Sequence, residues 1–192
     1  MALPGQAFAA TSVNLGTANG FAVLGSSTVT NTGSSVVNGD LGLSPGTSVT
    51  GFPPGVVSGT IHVADGAAAS AQTSLTTAYN NAAGQTCDTD LTGQDLGGLT
   101  LTPGVYCFSS SAQLTETLTL DAQGESSSVF IFKIGLALTT ASGSSVVLIN
   151  GAESCNVFWQ VGSSATLGSS TIFTGNILAL TSITLDTGEC GW

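Results

Sequence analysis

The sequence predicts a mostly β protein built as a β-solenoid, with one long α-helix over about residues 65–83 packed along one face. Three observations lead there. Residues 128–188 run through short segments of three kinds and then begin again: VFIFKIG and VFWQVG are apolar on both faces, LALTT and SATLG alternate Leu or Ala with Thr or Ser, and SSVVLI is rich in Val, Ile and Ser. Gly, Ser and Asn separate these β-branched runs, as turn residues separate strands. The cycle returns after about 28 residues, within the range where internal repeats stack as coils. The third observation is a single helical stretch in a chain otherwise made of strand and turn signals.

Taken in order, FAVLG at 21–25 reads as a strand, and STVTNTG at 27–33 echoes SITLDTG at 182–188. SSVVNGDLGLSPG and TSVTGF continue with strand and turn signals, so two coil fragments lie near the N-terminus. Pro53 and Pro54 mark a turn, and VVSGTIHV at 56–63 reads as one further strand. Asp65 then suits a helix N-cap. Ala64, Ala68, Ala71, Leu75, Ala78, Tyr79 and Ala82 recur at helical spacing, with Ser70, Thr73, Thr77 and Asn81 opposite and Gly84 at the end. A strand apolar on both faces needs cover on the side away from the interior, and this Ala-rich stripe is small enough to approach a sheet closely. From Cys87 to Gly98 the chain reads as a polar loop before LTLTPGVYCF and AQLTETLTLDAQG lead back into the coils.

Composition narrows the function. Charged residues make up 6% of the 192, with eleven carboxylates against one Lys and a formal charge of -10. Nucleic acid and anionic membrane need clustered Lys and Arg, so neither is expected as a partner. No run reaches membrane-spanning length. Ala7-Phe8-Ala9 fits a small-x-small cleavage pattern, so 1–9 reads as a signal-peptide remnant or flexible start and 10–192 as one domain. Four Cys suit an oxidising, extracellular setting. Cys87 and Cys107, which flank a Gly-rich connection, are the favoured disulfide pair; Cys155 with Cys190 is a second possibility.

Catalytic and metal motifs fail on chemistry. Gly42-Leu43-Ser44-Pro45-Gly46 has the form of a nucleophile elbow, but Pro45 lacks the N–H that an oxyanion hole needs after the Ser. Asp88, Asp90 and Asp95 lack the spacing of a calcium loop, and one His with scattered Cys forms no zinc pattern. Glu116 and Asp121 have no aromatic platform beside them for a glycosidase site. No enzyme activity and no cofactor are expected.

The remaining signal is an array of Thr. If Leu and Ile of the second segment type point inward, Thr115, Thr139, Thr166 and Thr184 point outward at equivalent places in successive coils, joined by Thr28, Thr30 and Thr32 near the start. On the neighbouring segment type Thr117, Thr119, Asp121, Ser145 and Thr171 face out. A flat, rigid, uncharged face that pairs methyls with hydroxyls is suited to holding ordered water: methyls favour cage-like water and hydroxyls anchor it.

With STVTNTG, NGDLGLSPG, GTIHVADGAAASAQ, LTPGVYCF, TLTLDAQG, VFIFKIG, LTTASGSSVVLINGA, NVFWQVGSSATLG and GNILALTSITLDTG in this order, residues 12–188 resemble the microbial ice-binding protein family of secreted antifreeze proteins. The resemblance implies a right-handed discontinuous β-solenoid of triangular section with a long helix. It also implies a bare face that adsorbs to ice and ordered water, giving thermal hysteresis and inhibiting recrystallisation; a monomer is expected. Family ice faces often read Thr-(Ala/Gly)-x-(Thr/Asn). Here Thr32-Gly33-Ser34-Ser35, Thr140-Ala141-Ser142-Gly143 and Thr187-Gly188-Glu189-Cys190 match in their first two places only. Members also continue past the ITLDTG segment with a further coil, where this sequence reads GECGW. The competing expectation is a structural or adhesive cell-surface solenoid with no ice activity.

Overall fold

In the computed structural model, residues 10–31 and 36–186 are described. They fall into two compact units, one spanning 14–80 and the other comprising the rest of the described residues, with the division inside the helix.

The N-terminal unit contains β1 (Phe21–Gly25), β2 (Thr28–Thr30), β3 (Val36–Val37), β4 (Asp40–Leu43), β5 (Ser48–Thr50), β6 (Val56–Val57), β7 (Ile61–Val63) and most of α1 (Gly66–Gly84). Successive turns of the chain lay strands side by side in three parallel sheets, β1-β4-β7, β2-β5 and β3-β6. The repeat is short: Asp40 Oδ1 accepts from Thr60 N across 20 residues. Gly51, at the corner after β5, has φ at +82° and no room for a Cβ against the Asn31 carbonyl. VVSGTIHV, expected as one strand, is two strands in different sheets. Ser58 and Gly59 turn the chain between them, donating their N–H groups to Val37 and Gly39.

Asp65 caps α1 as its side chain predicts. Its Oδ1 accepts from Ala68 N at 2.9 Å and its Oδ2 lies 2.7 Å from His62 Nδ1. These bonds, that from Ala68 first, hold its carboxyl below the ordinary 3.8. Ala68, Ala71, Ala78 and Ala82 are buried, while Leu75 and Tyr79 are half-buried and Ala64 stays outside the stripe in the positive-φ turn before the helix. Within the N-terminal unit, Gln72 Nε2 donates to Gly25 O at 2.6 Å and Ser74 Oγ lies 2.8 Å from Thr17 Oγ1.

In the C-terminal unit each full coil lays three strands on three parallel sheets. The strands are β8 (Thr89–Asp90), β9 (Thr100–Leu101), β10 (Gly104–Phe108), β11 (Ala112–Leu114), β12 (Thr117–Asp121), β13 (Phe130–Ile134), β14 (Leu138–Thr140), β15 (Ser145–Ile149), β16 (Val157–Val161), β17 (Ser164–Leu167), β18 (Asn176–Ala179) and β19 (Ser182–Leu185). The sheets run β18-β16-β13-β10-β8, β11-β14-β17-β19 and β15-β12-β9. β8 lies within the stretch expected to be loop. It is fastened there by Asp88 N donating to Val105 O and by the disulfide between Cys87 and Cys107, whose Cα atoms are 5.9 Å apart.

Stacked aromatics fill the interior. Phe132 lies between Tyr106 and Trp159, with ring centroids 5.6 and 4.0 Å apart, and Phe173 tilts against Trp159 at 4.9 Å. Polar ends of these rings are satisfied: Tyr106 Oη donates to Thr102 O at 2.6 Å, and Trp159 Nε1 to Thr174 O at 3.0 Å. The opposite face of the same sheet is also covered, as its double apolarity requires: Val105, Ile131, Phe158 and Leu178 are all buried. On that face Lys133 Nζ donates to Gln85 O, just past the end of α1, at 2.6 Å.

Phe132→Ala should lower stability by about 3–5 kcal/mol, because the cavity opens inside a stacked column that cannot collapse; urea unfolding with an unchanged m-value reads the loss. Because the Asp65 pKa is lowered on folding, its ionised form adds stability above the unfolded value, and that stability is lost as pH falls through the folded value. Thermal unfolding midpoints should therefore drop below about pH 3.8. Asp65→Asn, which keeps a good N-cap but no charge, should make that drop shallower.

Candidate functional site

Side chains alternate across a strand, so the burial of one set fixes the direction of the other. On β11, β14 and β17, the residues Ala112, Leu114, Leu138, Thr140, Ala165 and Leu167 are buried. Gln113, Thr139 and Thr166 therefore point away from the interior, and the register runs on from them to the exposed Thr184 of β19: Gln113 with Thr139, Thr139 with Thr166, Thr166 with Thr184. Parallel strands lie about 4.8 Å apart, so the three Thr form a straight column of hydroxyls and methyls at that spacing. Beside it Ser164 pairs with Ser182, their Oγ atoms 3.0 Å apart. Neither pairing carries a charged side chain.

Thr115, expected at the position that aligns with Thr139, is two residues beyond it. Gln113 occupies that place, and Thr115 Oγ1 donates to Asp95 Oδ1 at 3.1 Å. The reason is the corner after β11, where Asp95 also accepts from the N–H of Thr115 and of Gly97.

The N-terminal unit has its own array of the same kind on the second strand of each coil. Thr28 pairs with Ser48 and Thr30 with Thr50, all four exposed, with the Thr30 and Thr50 hydroxyls 3.5 Å apart. Ser48 and Thr50 were missed in the reading of the sequence. The signal is there in TSVT at 47–50, which repeats the hydroxyl-hydroxyl-Val-Thr pattern of STVT at 27–30. Thr32 and Cys190 lie outside the described residues.

The third sheet differs. Thr117 Oγ1 and Ser145 Oγ are 2.8 Å apart, and Thr119 pairs with Thr100 on one side, but its partner on the other is Val147. Thr171, expected to face out here, is buried. Its hydroxyl sits 2.7 Å from Gly168 O and 3.0 Å from Thr140 Oγ1, closing the corner after β17. Ile172 is the residue that bridges Ser145, and it is exposed with Val147 and Ile149. This face is therefore hydroxylated at one side and aliphatic at the other, with Asp121 paired to Ile149.

Nothing in the described residues gathers three His, Cys, Asp or Glu for a metal. The Cys87–Cys107 disulfide borders a shallow open depression of about 380 Å³ that also meets Lys133 and Asp90. Cys155 is exposed, its Sγ 3.6 Å from Glu153 Oε2; burial and that carboxylate raise its pKa. Among the described residues no helix is long and apolar enough to cross a membrane.

Known proteins share this arrangement. An "Ice-binding protein" of Nostoc sp. (strain HG1) is 61% identical over 189 residues, which are 97% of this chain and 70% of that protein. The crystal structure of an ice-binding protein from an Antarctic biological consortium superposes with a TM-score of 0.93 at 47% identity, over 98% of this chain and 86% of the other. That of an ice-binding protein from the Antarctic ascomycete Antarctomyces psychrotrophicus gives 0.87 at 38% identity, over 93% and 97%. A family model described as Ice-binding-like matches residues 23–190, from within β1 to beyond β19. A likeness that runs through the strands of both units at such identity is one of descent, and the chain belongs to the ice-binding-like family.

Proposed function

We propose that this protein adsorbs to ice through the β11-β14-β17-β19 face, lowering the freezing point and inhibiting recrystallisation. The observation that carries the reading is the in-register column Thr139–Thr166–Thr184, flanked by Ser164 and Ser182 and free of charge. Each Thr presents a methyl that favours cage-like water and a hydroxyl that anchors it, at a spacing set by the backbone ladder. Water ordered on such a face merges with the crystal lattice, and many weak contacts then hold the protein. Growth continues only by bulging between bound molecules, and the curvature lowers the local freezing point.

Rigidity supports the assignment. Association is weakened by every side chain that must be ordered on contact, and β-branched Thr has little rotamer freedom to lose. Thr28, Thr30, Ser48 and Thr50 meet the same requirement within their own unit and are assigned the same role. Thr115, Thr117 and Thr119 are assigned lesser roles: the first is bonded to Asp95, and the others share a face with exposed Val147, Ile149 and Ile172. We assign residues 10–192 to one ice-binding domain because the family match runs through both units. The disulfide suits secretion into an oxidising space, where the protein meets ice as a monomer without catalysis or cofactor.

An adhesive role would use the aliphatic third face instead and would give no hysteresis in the parent protein, while mutation decides which face meets ice. Thr166→Tyr or Thr139→Tyr should remove most of the thermal hysteresis while circular dichroism stays that of the parent, because one ring lifts the whole face from the crystal. Ile172→Tyr should leave hysteresis unchanged. Full hysteresis in folded Thr166→Tyr, with loss in Ile172→Tyr, would transfer the site to the third sheet. Before any variant, slow freezing of the parent protein onto a cold surface should enrich it in the ice fraction; exclusion from the ice would overturn the function.

A further inference from the structure

The Thr column stops at β11 without any break in the backbone. Gln113 is in register with Thr139, paired by the same parallel ladder as Leu114 with Thr140. Its neighbours Ala112 and Leu114 are buried to within 1% and its own side chain is exposed, so it stands on the same outward face as the three Thr. On the far side of the strand the ladder continues, among the described residues, as a single bridge to Asp95. Asp95 places a carboxylate at the margin of the face and binds the Thr115 hydroxyl, the other hydroxyl next to β11.

Gln is a poor member of such an array for two physical reasons. Its amide reaches further from the backbone than the Thr methyl and hydroxyl, so it stands above the plane that Thr139, Thr166 and Thr184 define. It also carries far more rotamer freedom than a β-branched residue, and that freedom is lost when the side chain is held against a crystal. We infer that Gln113 limits ice adsorption, ending at β14 an array for which the backbone already provides one more coil. This inference rests on the assignment of the β11-β14-β17-β19 face. The fold presents no obstacle to the missing residue: the position is a regular, exposed strand site of the kind that β-branched side chains favour.

The test is Gln113→Thr in the full chain, with hysteresis and recrystallisation inhibition measured at equal molar concentration and folding checked by circular dichroism. The expected result is about a two-fold rise in activity, the size that avoiding the ordering of one flexible side chain gives. Gln113→Val supplies the rigid shape without the hydroxyl and should give a smaller rise, which separates ice contact from any general gain in strand stability. Unchanged or lower hysteresis in folded Gln113→Thr, with Thr166→Tyr inactive, overturns the inference and leaves the face assignment standing. If Thr166→Tyr retains full hysteresis, the face assignment falls and the inference falls with it.

Discussion

Parallel stacking in register is the constraint on which everything else in this protein depends. A parallel ladder repeats at about 4.8 Å, so residues at equivalent places in successive coils stand over one another, inside and out. Inside, this produces the column Tyr106, Phe132 and Trp159, in which rings of one kind of shape succeed one another at contact distance. Outside, the same register turns a recurring Thr into a straight row. The surface is ordered because the core is, and no separate device is needed to space its hydroxyls.

A solenoid of this kind leaves three faces, and their chemistry differs because their obligations differ. The sheet that carries Ile131 and Phe158 is apolar on both sides and buried on both. The third sheet mixes Thr with exposed aliphatic residues and holds Asp121. Among the described residues of the C-terminal unit, the β11-β14-β17-β19 face carries its Thr column exposed and without charge. Flatness there also depends on the corners, and the buried Thr140–Thr171–Gly168 hydrogen bonds hold one of them. Two Thr of identical chemistry thus do different work: Thr139 points to solvent and Thr140 ties a corner from within.

That division explains what the sequence made legible. The cycle of strand types, the helix with its Asp65 cap, and the column Thr139–Thr166–Thr184 could all be read, because alternation within a strand and repetition between coils are written in the residues themselves. Thr115 and Thr171 went astray at the corners, where the chain is not periodic. The connection from β11 to β12 is two residues shorter than that from β14 to β15, which shifts which side chain lies over Thr139, and one residue after Gly168 decides whether Thr171 or Ile172 faces out. The N-terminal coils were read less fully because their repeat spans 20 residues, as between Asp40 and Thr60, whereas Thr117 and Ser145 lie 28 apart. A search tuned to the longer cycle passes over Ser48 and Thr50 and merges β6 with β7.

The distribution of charge follows from the same requirement. A protein of formal charge -10 remains soluble through self-repulsion, yet a carboxylate holds its own liquid hydration shell and would interrupt an ordered water layer. Acidic residues among those described stand at turns and margins. Asp65 caps a helix, Asp88 and Asp95 bond backbone N–H groups at corners, and Asp121 accepts from Asn150. The single Lys is turned to structure as well, donating to the carbonyl of Gln85 that α1 leaves at its end. With the charges engaged in this way, net charge and an uncharged face are compatible in one small chain. Solubility comes from the edges of the coils, while the strand faces remain free to meet a neutral solid.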